Sequence, residues 1–221
     1  MPVSSNVRRP KAMTTKSRLI RRYTNLPSAL RMLRSKAITL LPPDSWDDKN
    51  DRALMLAYKN KKKYKSVLAL CFSEAAETYH HWKVFAPGTD GVFVEFDKAR
   101  LLQAMSHPDI RAKSIDYVPI GDLRTRPPIL NELPFSKRLP YQDEAEFRFV
   151  YSSKEPAEIT KEFPIPVGAF ERIVINPWLP EQLAMSVMET FKAIQGFDTL
   201  EVSQSKITDS PAWRKFAATY A

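Results

Sequence analysis

Apolar positions along the chain fall into short runs of two kinds. Some alternate or form continuous blocks of up to six residues, and others recur every three to four. Residues 18–23 read as a short strand, and Leu26, Leu30 and Leu33 then repeat at helical spacing behind Asn25 or Ser28 as a cap. Residues 37–41 read as a strand ended by Pro42 and Pro43, and residues 51–62 as a helix. Residues 66–72 form a buried-looking strand, residues 74–86 a helix interrupted at Pro87-Gly88, and residues 91–96 another strand. Asp97 caps a helix whose inner face is Leu101, Leu102 and Met105. The proline-rich stretch 119–142 reads as a long loop laid over the domain. Strands are expected at 144–151 and 170–175. The stripe Leu183, Val187, Phe191, Ile194 predicts a helix ending before Gly196, with a last strand at 197–202. Adjacent strands and irregular alternation favour an α+β fold with a mixed or antiparallel sheet and flanking helices.

At 221 residues, with no repeat, the chain fits one α+β domain over 18–221 preceded by a flexible basic arm at 1–17. Val67 to Phe72, the longest apolar run, is far short of a membrane span, so no membrane partner is expected. The basic start is followed by no secretory h-region, although its acid-free, Arg-, Ser- and Thr-containing composition also fits an organellar transit peptide. One cysteine excludes an intrachain disulfide and a Cys-rich zinc site. These features point to a soluble, cytoplasmic protein.

The net charge of +9 is uneven. Ten basic residues precede the first acidic one, Asp44, while the remainder is near neutral. Arg8, Arg9 and Lys11 on the arm, with Lys61, Lys62 and Lys63 beside Tyr64, are candidate phosphate or nucleic-acid contacts. The same residues also read as a solvated tail and helix end.

Candidate chemistry is sparse. No P-loop, G-x-G-x-x-G or G-x-S-x-G is present. On a strand, Glu144, Glu146 and Arg148 would share one face, fit to orient a ribose or stabilise a cationic centre, or simply to form a wet face. Ser73 closes the strand at 66–72 and fits a binding role or a turn. Arg21 and Arg22, beside Tyr23, suit a pyrophosphate clamp, although the two must face opposite sides of a strand. Adjacent His80 and His81 lack the i, i+4 spacing of a metal pair, and no metal is expected, although Asp47, Asp48 and Asp51 with Glu146 leave a metal-dependent nuclease open. Trp82 serves as core or as a stacking platform.

Taken in order, these segments resemble a bacterial family catalogued as domain of unknown function 2971. The resemblance runs through Arg22-Tyr23, the loop from Pro43 through Trp46-Asp47-Asp48 to Asp51, Cys71-Phe72-Ser73-Glu74, Trp82, Gly91 to Phe96, and Glu144 to Arg148. It spans roughly 19–200. The family's Asn and Pro in the acidic loop are Asp47 and Lys49 here, and the Tyr of its Trp-x-x-Tyr-Ala helix is Phe85. The order of arginine, serine and Glu-x-Glu is further similar to ADP-ribosyltransferases of the Arg-Ser-Glu type. That similarity implies an ADP-ribosyltransferase-like fold and NAD as co-substrate, held by Arg22 or Arg21 together with Tyr23, Ser73 and Trp82. It implies that Glu146 stabilises the ribosyl cation and Glu144 assists the acceptor. The implied activity is modification of a nucleic acid or protein target, as in a toxin or phage-defence effector. The alternative is a non-catalytic nucleic-acid or partner-binding module.

Overall fold

Ile20, alternating with Arg21 along the first strand, starts the packing of the main core. The structure, a computed structural model, describes residues 18–220. The basic arm at 1–17, with Arg8, Arg9 and Lys11, and Ala221 lie outside the described residues. In chain order the elements are β1 (Leu19–Asn25), α1 (Leu26–Ser35), β2 (Ala37–Leu40), α2 (Lys49–Lys62), β3 (Ser66–Ser73), α3 (Tyr79–Phe85), β4 (Gly91–Asp97) and α4 (Lys98–Ala104). There follow β5 (Ile110–Ser114), β6 (Asp116–Val118), β7 (Ser136–Arg138), β8 (Glu146–Ser153), β9 (Lys161–Pro164), β10 (Phe170–Ile175), α5 (Glu181–Lys192), β11 (Glu201–Gln204) and α6 (Pro211–Ala217). No helix among the described residues is long and apolar enough to cross a membrane.

Seven strands form one sheet in the order β11-β10-β4-β1-β3-β8-β5. All neighbours are antiparallel except β10 and β11, which the helix α5 connects. Two-stranded pieces, β2-β9 and β6-β7, sit outside it. The fold is therefore α+β with a mixed, mostly antiparallel sheet and flanking helices.

One face of the sheet carries the main core, where Ile20, Leu70, Val94, Phe149 and Ile173 meet Leu33 of α1, Leu101 of α4 and Phe191 of α5. The other face carries two smaller clusters. Met55 and Tyr58 of α2 cover Val67, Ala69 and Val150 at one end. Trp82 of α3 covers Tyr23, Phe93 and Val174 at the other. Between these clusters the sheet presents polar side chains, and there the site lies.

Local chemistry explains most boundaries. Asn25 caps α1 by accepting the Ser28 N–H at 3.0 Å, and Asp48 caps α2 through the Asn50 N–H at 2.9 Å. Four expectations need correction. The expected helix 74–86 is helical only over Tyr79–Phe85, where Thr78 caps the first turn. Its upstream residues instead make tertiary bonds: Glu74 to Lys98, the Ala75 carbonyl to Arg21, and Glu77 to Trp82. These override the helix preference of the alanines. The last strand is Glu201–Gln204, because Gly196 at φ 91° and two successive turns, Phe197 to Ile194 and Leu200 to Phe197, occupy 196–200. The stretch 119–142 is not wholly loop, since β7 pairs with β6. Finally, the strand expected at 144–151 begins at Glu146: Glu144 closes a 3-10 turn, and Ala145 takes a left-handed conformation at φ 42°.

Candidate functional site

Within the seven-stranded sheet, β1 and β3 pair at a single position, Arg21 opposite Ser73. Ser73 is in turn opposite Glu146 on β8. Directly opposed residues share a face, so Arg21, Ser73 and Glu146 form one row across three strands. Beyond that row the seam between β1 and β3 opens into a cavity of about 930 Å³. Its walls are the second half of β1, the end of β3, the first turn of α2 with Trp46 and Asp47 before it, the segment from Val84 to Gly91 after α3, and Lys137, Arg138 and Tyr141. The volume suits a dinucleotide-sized ligand.

Six of the residues expected at a site from the sequence line this cavity: Arg21, Arg22, Tyr23, Ser73, Glu144 and Glu146. Trp82 does not. It is fully buried behind Tyr23, with rings 5.4 Å apart, and its Nε1 donates to Glu77 at 2.7 Å, so it is a core residue and not a stacking platform. Lys61, Lys62 and Lys63 lie at the far end of α2, about 20 Å along the helix from the mouth.

The two arginines differ sharply. Arg21 belongs to the row but is committed: Nη2 contacts Glu95 at 2.7 Å and Nη1 donates to the Ala75 carbonyl. It neutralises a buried carboxylate that also accepts from Arg172. Arg22 alternates away from that face and reaches into the seam, where Nη1 donates to the Cys71 carbonyl at 3.1 Å. It has no carboxylate partner among the described residues, and burial lowers its pKa. A guanidinium so placed is costly unless an anion joins it.

Glu146 is 5% exposed. Burial pushes its carboxyl up, but Arg148 and Lys137 together outweigh that and hold it down at about 2. Its Oε1 accepts from Arg148 Nε at 2.8 Å and contacts Nη2 at 2.8 Å, while Oε2 faces Lys137 at 3.2 Å. Arg148 is fully buried, which rules out the wet-face reading. Its remaining N–H groups go to Asp51, Nη1 to Oδ1 at 3.1 Å and Nη2 to Oδ2 at 2.7 Å, and to the Pro134 carbonyl at 2.8 Å. Four hydrogen bonds and the Nη2 ion contact to Glu146 thus engage all three nitrogens, and Trp46 stacks on the guanidinium at 4.5 Å. Arg148 is a strut that aims Glu146, with no nitrogen left free for a ligand.

Glu144 reaches the same cluster from the turn before β8, not from the strand. Lys137 donates to its carboxylate, and burial raises its pKa while Lys137 partly offsets the rise. Ser73 fixes that turn: its Oγ donates to the Glu144 carbonyl at 2.7 Å and accepts the Ala75 N–H at 3.2 Å. Tyr117 secures Glu146, its hydroxyl accepting the Glu146 N–H at 2.8 Å.

The acidic loop divides in the same way. Both oxygens of Asp51 are on Arg148, and Asp48 caps α2. His81 is buried with Nε2 2.8 Å from the Asp143 carbonyl. Among the described residues no group of three or more His, Cys, Asp or Glu side chains is arranged to hold a metal ion. Sequence reasoning missed Lys137 and the structural work of Asp51 and Arg148. Lys137 sits in a stretch without periodicity, and only the fold brings it to Glu146.

No family model matches the chain and no curated protein sequence matches it. The resemblance to domain of unknown function 2971 therefore rests on the residues quoted for it. Among solved structures, the chain is similar to DarT from Thermus sp. 2.9. The complex with ADP-ribosylated ssDNA aligns at TM-score 0.46 and 10% identity over 86% of this chain and 95% of that one. The NAD+ complex aligns at 0.44 and 12% over 86% and 96%, and the carba-NAD+ complex at 0.42 and 11% over 87% and 97%.

Proposed function

We propose that the cavity binds NAD, releases nicotinamide and transfers ADP-ribose to a macromolecule, an ADP-ribosyltransferase-like activity of the toxin or phage-defence kind. One observation carries this reading: a single cavity presents an ionised, rigidly held carboxylate, Glu146, and a guanidinium with no carboxylate partner among the described residues, Arg22. Nicotinamide leaves with the electron pair of its bond to ribose, so positive charge develops on the sugar. A fixed carboxylate in a site with little water stabilises that charge. A guanidinium matches the paired oxygens of a pyrophosphate. Glu144, whose carboxyl is held up by burial, is suited to take the acceptor's proton. Nucleic acid is the acceptor class we favour, because the exposed end of α2 with Lys61, Lys62 and Lys63 offers phosphate contacts beyond the mouth.

The test is nicotinamide release from NAD by the full chain and by Glu146→Gln, with single-stranded nucleic acid present and folding checked by thermal melting. Release by the parent and a fall of about 10²–10³-fold in the variant are expected. Equal release by both would overturn the reading. The lysines at this end of α2, Lys61 and Lys63 exposed and Lys62 half-buried, also favour a second reading, a polyanion-binding module. Its mark is salt-sensitive binding retained in Glu146→Gln, with no nicotinamide released by either protein.

A further inference from the structure

Lys137 occupies the centre of the charge cluster. It lies on the three-residue strand β7, opposite Tyr117 of β6. Its ammonium donates to Oε2 of Glu144 and to Oε2 of Glu146, the latter at 3.2 Å, and lies 4.7 Å from the Tyr141 ring centre. The β6-β7 pair thus holds Glu146 twice, by the Tyr117 hydroxyl on its backbone N–H and by the ammonium on its carboxylate. The left-handed Ala145 makes the shared contact possible. It breaks the strand before β8, so that Glu144 is set by the preceding turn while Glu146 is set by the sheet, and both carboxylates meet one cation.

We propose that Lys137 is a positioning residue that couples Glu144 and Glu146 into one unit, keeping Glu146 charged for the ribosyl centre and leaving Glu144 to take the proton of the acceptor. The division of labour between the two carboxyls rests on the NAD-transfer reading; the coupling through Lys137 does not. In the transfer step the bond from ribose C1′ to the nicotinamide nitrogen breaks, and its electron pair stays with the nitrogen. A lone pair on the acceptor's heteroatom forms the new bond to C1′. The acceptor's proton passes to the Glu144 carboxylate and from there to water, so the products are ADP-ribosylated acceptor, neutral nicotinamide and one proton.

Among the described residues no other cation is placed to replace Lys137. Asp51 on α2 adds a third carboxylate, and Arg148 on β8 is engaged through all three of its nitrogens. Arg22 on β1 lies across the seam at Cys71. Burial holds the Cys71 thiol and the Tyr117 phenol well above their ordinary ranges, so both face the pair uncharged. Tyr141 supplies only its ring and a hydroxyl bonded to Arg138. Glu144 therefore depends on Lys137 as its one ion partner among the described residues, whereas Glu146 keeps Arg148.

The test follows the carboxyl carbons of 13C-labelled glutamate by NMR through a pH titration of the full chain, beside the pH profile of nicotinamide release. In Lys137→Gln both carboxyls should titrate higher, Glu144 by about one unit or more, since an opposite charge at hydrogen-bond distance is removed. The acid limb of the pH profile should move the same way, and Lys137→Arg should bring both back toward the parent. Unmoved titrations in a folded Lys137→Gln overturn the proposal whatever the activity. Glu146→Gln gives the independent reading should Lys137→Gln fail to fold: there Glu144 should titrate lower, because a like charge is gone and Lys137 is no longer shared, and an unmoved Glu144 overturns the coupling. Shifted titrations with no nicotinamide release by the parent would support the coupling while removing the NAD-transfer reading.

Discussion

Arg148→Met removes the guanidinium on which the polar face of the sheet is built. The side chains of Arg148, Asp51 and Glu146 are 1%, 3% and 6% exposed, so water cannot replace the lost donors without opening the site. Methionine fills much of the volume and leaves two buried carboxylates short of their cation. Breaking one buried ion pair costs about 3–5 kcal/mol. For a domain of this size that amounts to a fall in Tm of roughly 6–20 °C. The loss should also depend on pH. Burial already holds the Asp51 carboxyl above its usual range despite Arg148, and removing the guanidinium raises it further while lifting the Glu146 carboxyl from its low value. A group whose folded pKa lies above its unfolded value contributes stability below the unfolded pKa and loses it as pH rises through the folded one. The deficit of Arg148→Met relative to the parent should therefore be larger at pH 7 than at pH 5. Urea unfolding at both pH values, followed by tryptophan fluorescence, measures it. The double variant Asp51→Leu/Arg148→Met should lose less than the sum of the two single changes. A loss below about 1 kcal/mol, or one that ignores pH, would show that the cluster does not hold α2 and Glu146 to the sheet.

Two further outcomes follow from the same geometry. Ala145 is left-handed at φ 42°, so Ala145→Gly should leave stability unchanged or raise it by up to about 1 kcal/mol, whereas Ala145→Val should lower it by at least as much. Equilibrium unfolding of the three proteins checks the order. Replacing Lys61, Lys62 and Lys63 together by Gln should lower the salt dependence of single-stranded nucleic-acid binding by about 2 in slope, measured by fluorescence anisotropy across a salt series, while nicotinamide release without nucleic acid stays at the parent level.

Whatever depended on neighbours in the chain was legible before the fold was known. The run at 66–72, and that at 91–96 apart from Glu95, are apolar on both faces because β3 and β4 are covered on both, and such runs announce themselves locally. Asn25 and Asp97 cap helices by bonds to residues three positions on, a reach that sequence spacing contains. Ser73 stood out because it sits at the edge of such a run, and Glu146 because it alternates with Glu144 and Arg148.

What the tertiary structure alone decided is register and charge. Whether Arg21 or Arg22 stands beside Ser73 depends on how β1 meets β3, and a slip of one residue would exchange them. The register puts Arg21 in the row and then commits it to Glu95, so that Arg22 is left facing the seam. Glu144 could not be placed by strand alternation, because one left-handed residue cancels the period of two. Lys137 had no local signal, since a three-residue strand inside a proline-rich stretch carries too few positions to show a period. Its partners Glu144 and Glu146 lie only seven and nine residues away, yet the contact exists only because β7 pairs with β6 and Tyr117 grips Glu146. A strand's hydrophobic face is a property of the local chain. A buried carboxylate's counter-ion is a property of which strands the fold sets side by side.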